Sequence, residues 1–266
     1  MTETTVVDAI LAKKRDDVKR LSAATPLGEL RAVAADMPPT RPFLATKSNG
    51  ISLIAEIKRA SPSKGQIRPE LSPAEIARTY HSSGAAAVSV LTEEHFFLGR
   101  PEFVAEVHSA SPLPVLRKDF VFCEWQVYET RVLKADAVLL IAAILDKNQL
   151  EDLFECALAI GLECLIEVHS EDDLEKVPPR ARVVGVNNRD LRTFHTDLAV
   201  AERMVPLIRS CGPNNRIVVA ESGIFCRKDV ERMQTAGADA ILVGEALMRE
   251  HDISAKIAEL LGKAKG

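Results

Sequence analysis

Long apolar segments and paired cysteines are both missing from this sequence. No run reaches the roughly 18 apolar residues of a membrane span, and the first residues, MTETTVVDAILAKKRDDVKRL, lack the apolar stretch of a signal peptide. The cysteines are odd in number, without a C-x-x-C pair or a histidine at metal-ligand spacing; they are Cys123, Cys156, Cys164, Cys211 and Cys226. We therefore expect a cytoplasmic protein with reduced thiols, no metal site and no membrane partner.

An excess of charge of one sign is also lacking. The 266 residues include 34 basic and 38 acidic side chains, which gives a net charge of −4. This balance offers no electrostatic basis for binding nucleic acid or an anionic membrane. Since 47% of the residues are apolar, the chain can bury a sizeable core. We expect the partner of this protein to be a small molecule or a second copy of the chain. We expect the protein itself to be a monomer or a weak homo-oligomer.

A glycine-rich dinucleotide fingerprint is missing as well. The first apolar run, ISLIAEI, is followed by KRASPSKG, which contains no G-x-G-x-x-G motif. Seven further apolar runs follow, with helical patterns between them: AAAVSVL, PVLRK, DAVLLIA, LECLIEV, RVVGVN, RIVVAE and DAILVG. Eight strand–helix units in a row predict an α/β fold, a (β/α)₈ TIM barrel, rather than an open doubly wound sheet.

Helix start signals support this order of elements. The segment SPAEIARTYHSSG begins with Ser72 at the N-cap, Pro73 at the first helical position and Glu75 where a capping box is completed. Asp146 and Ser170 begin two later segments in the same way. The sequence therefore predicts a helix after each strand.

Apolar residues also recur at helical spacing near the amino terminus, with charged residues between them; they are Val7, Ile10, Leu11, Val18 and Leu21. This pattern predicts an amphipathic helix over residues 4–21, ahead of the first strand. Composition does not change along the chain in a way that marks a boundary. We expect one barrel domain over residues 1–266, with about residues 1–48 as an N-terminal helical extension.

Polar side chains end nearly all of the predicted strands. They are Glu56, Lys58, Thr92, Lys118, Asp119, Glu167, Asn187, Arg189, Glu221, Ser222 and Glu245. Glu56 and Lys58 share one strand face, and burying an ion costs several kcal/mol unless it is paired or used. A solvated face is the alternative, but both faces of a barrel strand are covered, and barrel active sites lie at the carboxyl ends of strands. We therefore expect an active site there. His169 could carry a proton, but a loop histidine is more often structural, so it is left out of the predicted site.

Two glycines end the last two predicted strands, in AESGI and LVGEALM. Gly223 and Gly244 allow the backbone to approach a ligand, and the free N–H groups at a helix start bind anions. The loops after the last two strands of a barrel are a frequent phosphate site. Tight strand–helix turns are the alternative, but two such glycines in succession favour phosphate binding.

These motifs together resemble the indole-3-glycerol-phosphate synthase family of tryptophan biosynthesis. The matching segments are AEIKRASPSKG, VSVLTEEHFF, VLRKDF, VLLIAAIL, LIEVHS, GVNNRDL, AESGI and LVGEALM. The resemblance runs from about residue 5 to 260 and implies a TIM barrel that needs no cofactor. It implies ring closure, decarboxylation and dehydration of 1-(2-carboxyphenylamino)-1-deoxyribulose 5-phosphate, a phosphorylated small molecule, to indole-3-glycerol phosphate.

The resemblance also implies catalytic residues. Lys118 would be the general acid of ring closure and Glu167 the general base of the dehydration. Lys58 would hold the substrate carboxylate and act as an acid, with Glu56 orienting it. The remaining catalytic residues implied are Asn187, Glu221 and Ser222, at the mouth of the barrel.

Further residues are implied to bind the substrate. Arg189 would act beside Asn187 on a hydroxyl or on the anthranilate end, and Ser61 belongs to the first loop. Phe96 and Phe120 would form an apolar pocket for the aromatic ring. The residues implied to bind phosphate are Ser222, Gly223, Gly244 and Glu245.

Two positions depart from the family pattern. The loop after the second strand reads HFFLGRPEF where a Gly-Ser pair is expected, so we expect Arg100 to alter the packing of this loop or its contact with phosphate. Glu245 stands where some family members have serine. Since an acidic side chain repels phosphate, we expect its carboxylate to point away and only its N–H to contribute.

Two other functions stay open at this point. A Schiff-base, aldolase-like barrel would use Lys118 as a nucleophile. A catalytically silent phosphate-binding barrel would bind a ligand without turnover, although the full set of polar strand ends argues against it. The chain has no room for a second barrel, so we expect a single activity.

Overall fold

The computed structural model describes residues 5–44, 50–62, 65–68, 70 and 72–263. Eight parallel strands close into a barrel, in which Ala55 of the first strand pairs with Val88 of the second and Val243 of the last. The strands are β1 (Ser52–Ile57), β2 (Ala87–Leu91), β3 (Val115–Lys118), β4 (Ala137–Ile141), β5 (Glu163–Val168), β6 (Val183–Asn187), β7 (Ile217–Glu221) and β8 (Ala240–Val243). Each lies within one of the predicted apolar runs, and the TIM barrel is confirmed.

Helices precede the barrel and connect its strands. They are α1 (Val6–Ala24), α2 (Leu27–Ala35), α3 (Pro73–Ser83), α4 (Glu102–Ala110), α5 (Glu124–Val132), α6 (Lys147–Ala159), α7 (Glu171–Leu174), α8 (Ala199–Ser210), α9 (Arg227–Ala236), α10 (Glu245–Met248) and α11 (Ile253–Leu261), with a 3₁₀ turn at Ala142–Ile144. The predicted N-terminal helix is present as α1 and extends beyond Leu21. Ser72, Asp146 and Ser170 cap α3, α6 and α7, each accepting a bond from a main-chain N–H three residues on.

The strands are apolar on both faces because both faces are buried. One face packs against the helices, as with Ile166 of β5. The other fills the barrel; its residues include Ile54, Ala87, Leu116, Leu139, Leu165, Val183, Val219 and Leu242. In β5 the next inward residue after Leu165 is Glu167, since side chains alternate. The polar strand ends thus form the layer above an apolar interior.

The N-terminal extension contacts both ends of the barrel. Lys14 of α1 is 2.9 Å from a carboxylate oxygen of Asp119, just beyond the carboxyl end of β3. Phe43 packs with the inner residues, and its N–H donates to Glu163 at the first position of β5. The extension therefore contacts residues at both ends of the barrel strands.

No helix within residues 5–263 that the structure describes is long and apolar enough to cross a membrane. The five cysteines lie in this part of the chain, and none forms a disulfide.

Candidate active site

A pocket of about 940 Å³, including its open entrance, lies at the carboxyl ends of the strands. Of the predicted site residues, all but Phe96 line it: Glu56, Lys58, Ser61, Lys118, Phe120, Glu167, Asn187, Arg189, Glu221, Ser222, Gly223, Gly244 and Glu245. The closed barrel brings together strand ends that are far apart in sequence, such as Glu56 of β1 and Gly244 after β8, which are 188 residues apart. Ser63 and Lys64 of the first loop lie outside the described residues.

Lys118 stands at the end of β3 and reaches two carboxylates inside the barrel. Its Nζ lies 3.0 Å from Glu167 Oε2 and 3.5 Å from Glu221 Oε2. Burial by itself lowers the pKa of Lys118, but Glu167, Glu221 and Glu56 together raise it well above its usual range. Lys118 is therefore an ammonium group, which carries a proton and faces the pocket.

Glu167 and Glu221 are both buried, yet their pKa values move in opposite directions. Burial raises the pKa of Glu167, but Lys118, His169 and a hydrogen bond from Asn187 outweigh it and lower that pKa. At Glu221, burial and repulsion from Glu167 raise the pKa against the attraction of Lys118. No hydrogen bond reaches its carboxyl oxygens from the described residues. The pair thus combines an ionised base with a carboxyl group that holds its proton more readily.

Glu56 and Lys58 form a second charged pair at the end of β1. Lys58 Nζ donates to Glu56 Oε1 at 2.8 Å, and both side chains are mostly buried. Tyr80 of α3 also donates its hydroxyl to the main-chain oxygen of Glu56, at 2.9 Å. The shared face predicted for these residues is present, and their pairing reduces the cost of burying them.

Two consecutive residues after β7 adopt left-handed backbone. Ser222 has a φ of 65° and Gly223 a φ of 76°. A left-handed serine is strained by roughly 1–2 kcal/mol relative to ordinary backbone. The main-chain oxygen of Ser222 accepts from Asn188 Nδ2 at 3.1 Å. This turn presents backbone to the pocket beside the loop at Gly244, at the edge where phosphate binding is predicted.

The side chain of Glu245 is held by two arginines. Its carboxylate lies 3.0 Å from Arg249 and 3.4 Å from Arg189. Glu245 is also the first residue of α10, where main-chain N–H groups have no acceptor within the helix. The arginines neutralise the carboxylate, which reduces its repulsion of an anion at this edge.

Two glycines make room for buried carboxylates of the pocket. A Cβ atom at Gly185 of β6 would overlap Glu221 Oε1, and one at Gly244 would overlap Glu56 Oε1. Gly185 is not among the predicted site residues. Its signal is a glycine inside an apolar strand, which often marks a close approach of another group.

Asn188 is a second residue of the site that is not among the predicted ones. Its main-chain N–H donates to the main-chain oxygen of Glu221 at 2.9 Å, and its Oδ1 accepts from the N–H of Ala201 at 3.0 Å. It follows Asn187 and is almost fully buried. Asn188 therefore ties β7 to the loop after β6 and to α8.

The aromatic wall differs from the prediction at one position. Phe97, rather than Phe96, lines the pocket with Phe120, and the centroids of these two rings are 6.5 Å apart. The buried carboxylate of Glu93 accepts from the N–H groups of both Phe96 and Phe97, at 2.7 and 3.0 Å. This curled backbone is not a strand, so side-chain alternation cannot identify the inward ring.

Arg100 lies in the same loop but is exposed and outside the pocket wall. Its effect on loop packing or on contact with phosphate stays a prediction. Gly99 before it is buried against the main chain of Leu91, where a Cβ would overlap.

A model of the family described as indole-3-glycerol phosphate synthase matches residues 7–260. The curated relatives it resembles carry the same name. One from Dehalococcoides mccartyi is 45% identical over 96% of this chain and 100% of its own length. One from Rhodopirellula baltica is 45% identical, over 97% and 99%. One from Neisseria meningitidis is 44% identical, over 97% and 99%.

Among solved structures, 3-hexulose-6-phosphate synthase from Salmonella typhimurium superposes with a TM-score of 0.61 at 13% identity. The match covers 80% of this chain and 97% of the other. A chain of the tryptophan synthase complex from Pyrococcus furiosus gives 0.57 at 15% identity, over 79% and 98%. At these identities the likeness shows the fold alone.

Proposed function

Because the chain belongs to the indole-3-glycerol phosphate synthase family, we propose that it converts 1-(2-carboxyphenylamino)-1-deoxyribulose 5-phosphate to indole-3-glycerol phosphate, carbon dioxide and water. The observation that carries this proposal is the buried pair of Lys118 and Glu167 at 3.0 Å in the barrel mouth. It supplies an acid and a base within reach of one substrate.

The pocket has an edge suited to each end of this substrate. The phosphate lies against the turns at Ser222–Gly223 and Gly244–Glu245, where backbone N–H groups approach it. The carboxylate lies near the ammonium group of Lys58. The aromatic ring packs between apolar side chains that include Phe120 and Phe97, and Asn187 and Arg189 bind polar groups of the substrate.

Ring closure uses the proton of Lys118. The ring carbon that bears the carboxylate attacks the ribulose carbonyl carbon, and the carbonyl oxygen takes the proton from Lys118 to become a hydroxyl. The carboxylate then leaves as carbon dioxide, and its bonding electrons restore the aromatic ring. Positioning the two reacting ends and protonating the oxygen are what the site contributes.

Dehydration uses the base Glu167. Its carboxylate removes the proton from the ring carbon next to the nitrogen, while the hydroxyl departs as water with a proton from an acid. Lys58 lies in the pocket as such an acid, and Glu56 holds it. The opposite pKa shifts of Glu167 and Glu221 favour one base and one proton-holding carboxyl group at neutral pH.

The Schiff-base alternative is less well supported. Attack on a carbonyl needs a neutral amine, and a lysine nucleophile usually has a lowered pKa. The pKa of Lys118 is raised by three carboxylates instead. Trapping of a substrate adduct on Lys118 by borohydride would favour the aldolase-like mechanism over the acid role.

The test is turnover of the carboxyphenylamino substrate by the unmodified protein, followed by the fluorescence of the indole product. We expect product without any added metal or cofactor. Binding without turnover would overturn the proposal in favour of a silent phosphate-binding barrel. The proposal includes a cytoplasmic location. It also includes a monomer or weak homo-oligomer, and size-exclusion chromatography tests this oligomeric state.

A further inference from the structure

His169 follows β5 directly, with its imidazole between two carboxylates. Its Nε2 lies 3.4 Å from Glu167 Oε1, and its Nδ1 lies 3.8 Å from Asp173 Oδ2. Both ring nitrogens are buried, and within the described residues neither makes a hydrogen bond of good geometry. His169 is outside the wall of the pocket. The imidazole thus approaches the proposed base from outside the pocket.

The main chain fixes the imidazole in this place. The N–H of His169 donates to Asp173 Oδ2 at 3.0 Å, and Lys176 donates to Asp173 Oδ1 at 3.3 Å. Asp173 is buried in the short helix α7, which is capped by Ser170. The loop after β5 therefore has little freedom to withdraw the ring from Glu167.

Negative charge dominates the surroundings of His169. Besides lowering the pKa of Glu167, His169 contributes to a lowered pKa at Asp190, where hydrogen bonds from the N–H of Thr193 are the main cause. The charged groups around the ring are Glu167 on β5, Asp173 on α7 and Asp190 after β6, with Lys118 and Lys176 as the cations that pair with the first two.

We propose that His169 is a positioning residue, which holds the second oxygen of Glu167 while Lys118 gives up its proton. This inference rests on the proposed function. Once Lys118 has protonated the substrate carbonyl it is a neutral amine, and Glu167 Oε2 loses its cation. A buried carboxylate beside Glu221 would then be free to rotate or take up a proton too early. His169 on Oε1 keeps Glu167 ionised and oriented for the dehydration.

Two substitutions separate this role from simple packing. His169→Phe keeps a ring but removes both nitrogens, whereas His169→Asn keeps an N–H donor without the ring. We expect kcat to fall roughly tenfold or more in His169→Phe while KM stays unchanged, and we expect the kcat of His169→Asn to lie between those of His169→Phe and the unmodified protein. The matched control is His251→Asn, which changes an exposed histidine. Wild-type kcat in both His169 variants would overturn the proposal; if His169→Phe fails to fold, His169→Asn decides.

A measurement without turnover keeps this inference distinct from the proposed function. Carboxyl ¹³C NMR of glutamate-labelled protein follows the titration of Glu167, assigned by its loss in Glu167→Gln. Burial raises the pKa of Glu167, while Lys118 and then His169 lower it. The midpoint is therefore expected to move to higher pH in His169→Asn but not in His251→Asn. An unchanged midpoint would contradict the positioning role even in an active enzyme, whereas an inactive wild type contradicts the function itself.

Discussion

The charged residues of the pocket are stable there because each has a partner. Lys118 bridges Glu167 and Glu221, and Lys58 is paired with Glu56. A lone ion in the same place would cost several kcal/mol, so the pairing of each ammonium group with a carboxylate lets both groups stay charged. The same proximity makes each of them usable for proton transfer.

Replacing Lys118 by Ala or Glu167 by Gln is expected to lower kcat by roughly 10²–10⁴-fold, because each change removes a proposed proton donor or acceptor. Product fluorescence measures the rate. Lys147→Ala, at an exposed lysine of α6, is the matched control. Circular dichroism checks that the barrel is intact, and a variant that kept near wild-type turnover would show that the assigned role is wrong.

At the scale of elements, a residue without a side chain on one strand makes room for a carboxyl group from the neighbouring strand. Gly185 of β6 is opposite Val219 of β7, and its missing side chain leaves the space that the Glu221 carboxyl group occupies. Asn188 then joins the ends of the same two strands. The position of Glu221 therefore depends on β6 as much as on its own strand.

Gly185→Ala is expected to displace the Glu221 carboxyl group. We expect a loss of stability of about 1–3 kcal/mol from overpacking, together with a lowered kcat. Gly28→Ala in α2 is the control, since a Cβ there meets nothing and is expected to stabilise the helix by about 0.5–1 kcal/mol. Thermal unfolding and product fluorescence follow the two effects. Wild-type stability and kcat in Gly185→Ala would contradict the crowding argument.

At the scale of the whole molecule, a buried ionic cluster joins the N-terminal extension to the barrel. Asp119 lies 2.9 Å from Lys14 of α1 and 3.1 Å from Arg117, and it accepts from Thr92 at 2.7 Å. Burial raises the pKa of Asp119, but the opposing effect of Lys14 and Arg117 is larger, so the pKa is lowered to about 2. Protonating this one carboxyl group would weaken contacts between three elements.

The lowered pKa of Asp119 makes stability depend on pH. The pKa of Asp119 in the folded protein is below its ordinary value. Its contribution to the free energy of unfolding is therefore fully present above about pH 4 and is lost as the pH falls towards 2. Its size is about 2 kcal/mol. Asp119→Asn should be less stable than the unmodified protein at neutral pH. Its thermal midpoint should fall less than that of the unmodified protein between pH 4 and 2. The control is Glu124→Gln, in an exposed ion pair with Arg31. Equal slopes for Asp119→Asn and the unmodified protein would refute this account.

The sequence by itself determined the strand–helix order, the eight strands and the strand ends that carry Glu56, Lys118, Glu167 and Glu221. These follow from local rules, since apolar runs, helix caps and alternation are properties of neighbouring residues. It did not identify Phe97, Asn188 or the vacant Cβ position of Gly185. The division of the chain into one domain with an extension of about 48 residues stays a prediction.

Only the tertiary structure decided which charges meet. Lys118 and Glu167 are 49 residues apart, and their separation of 3.0 Å exists because the barrel closes. The same closure brings Glu221 beside them, and the loop after β5 brings His169 within 3.4 Å of Glu167 Oε1. Coulomb energy and the cost of burial depend on distance and surroundings in three dimensions. The protonation states of the site are therefore set by the fold, although the residues that carry them can be read from the sequence.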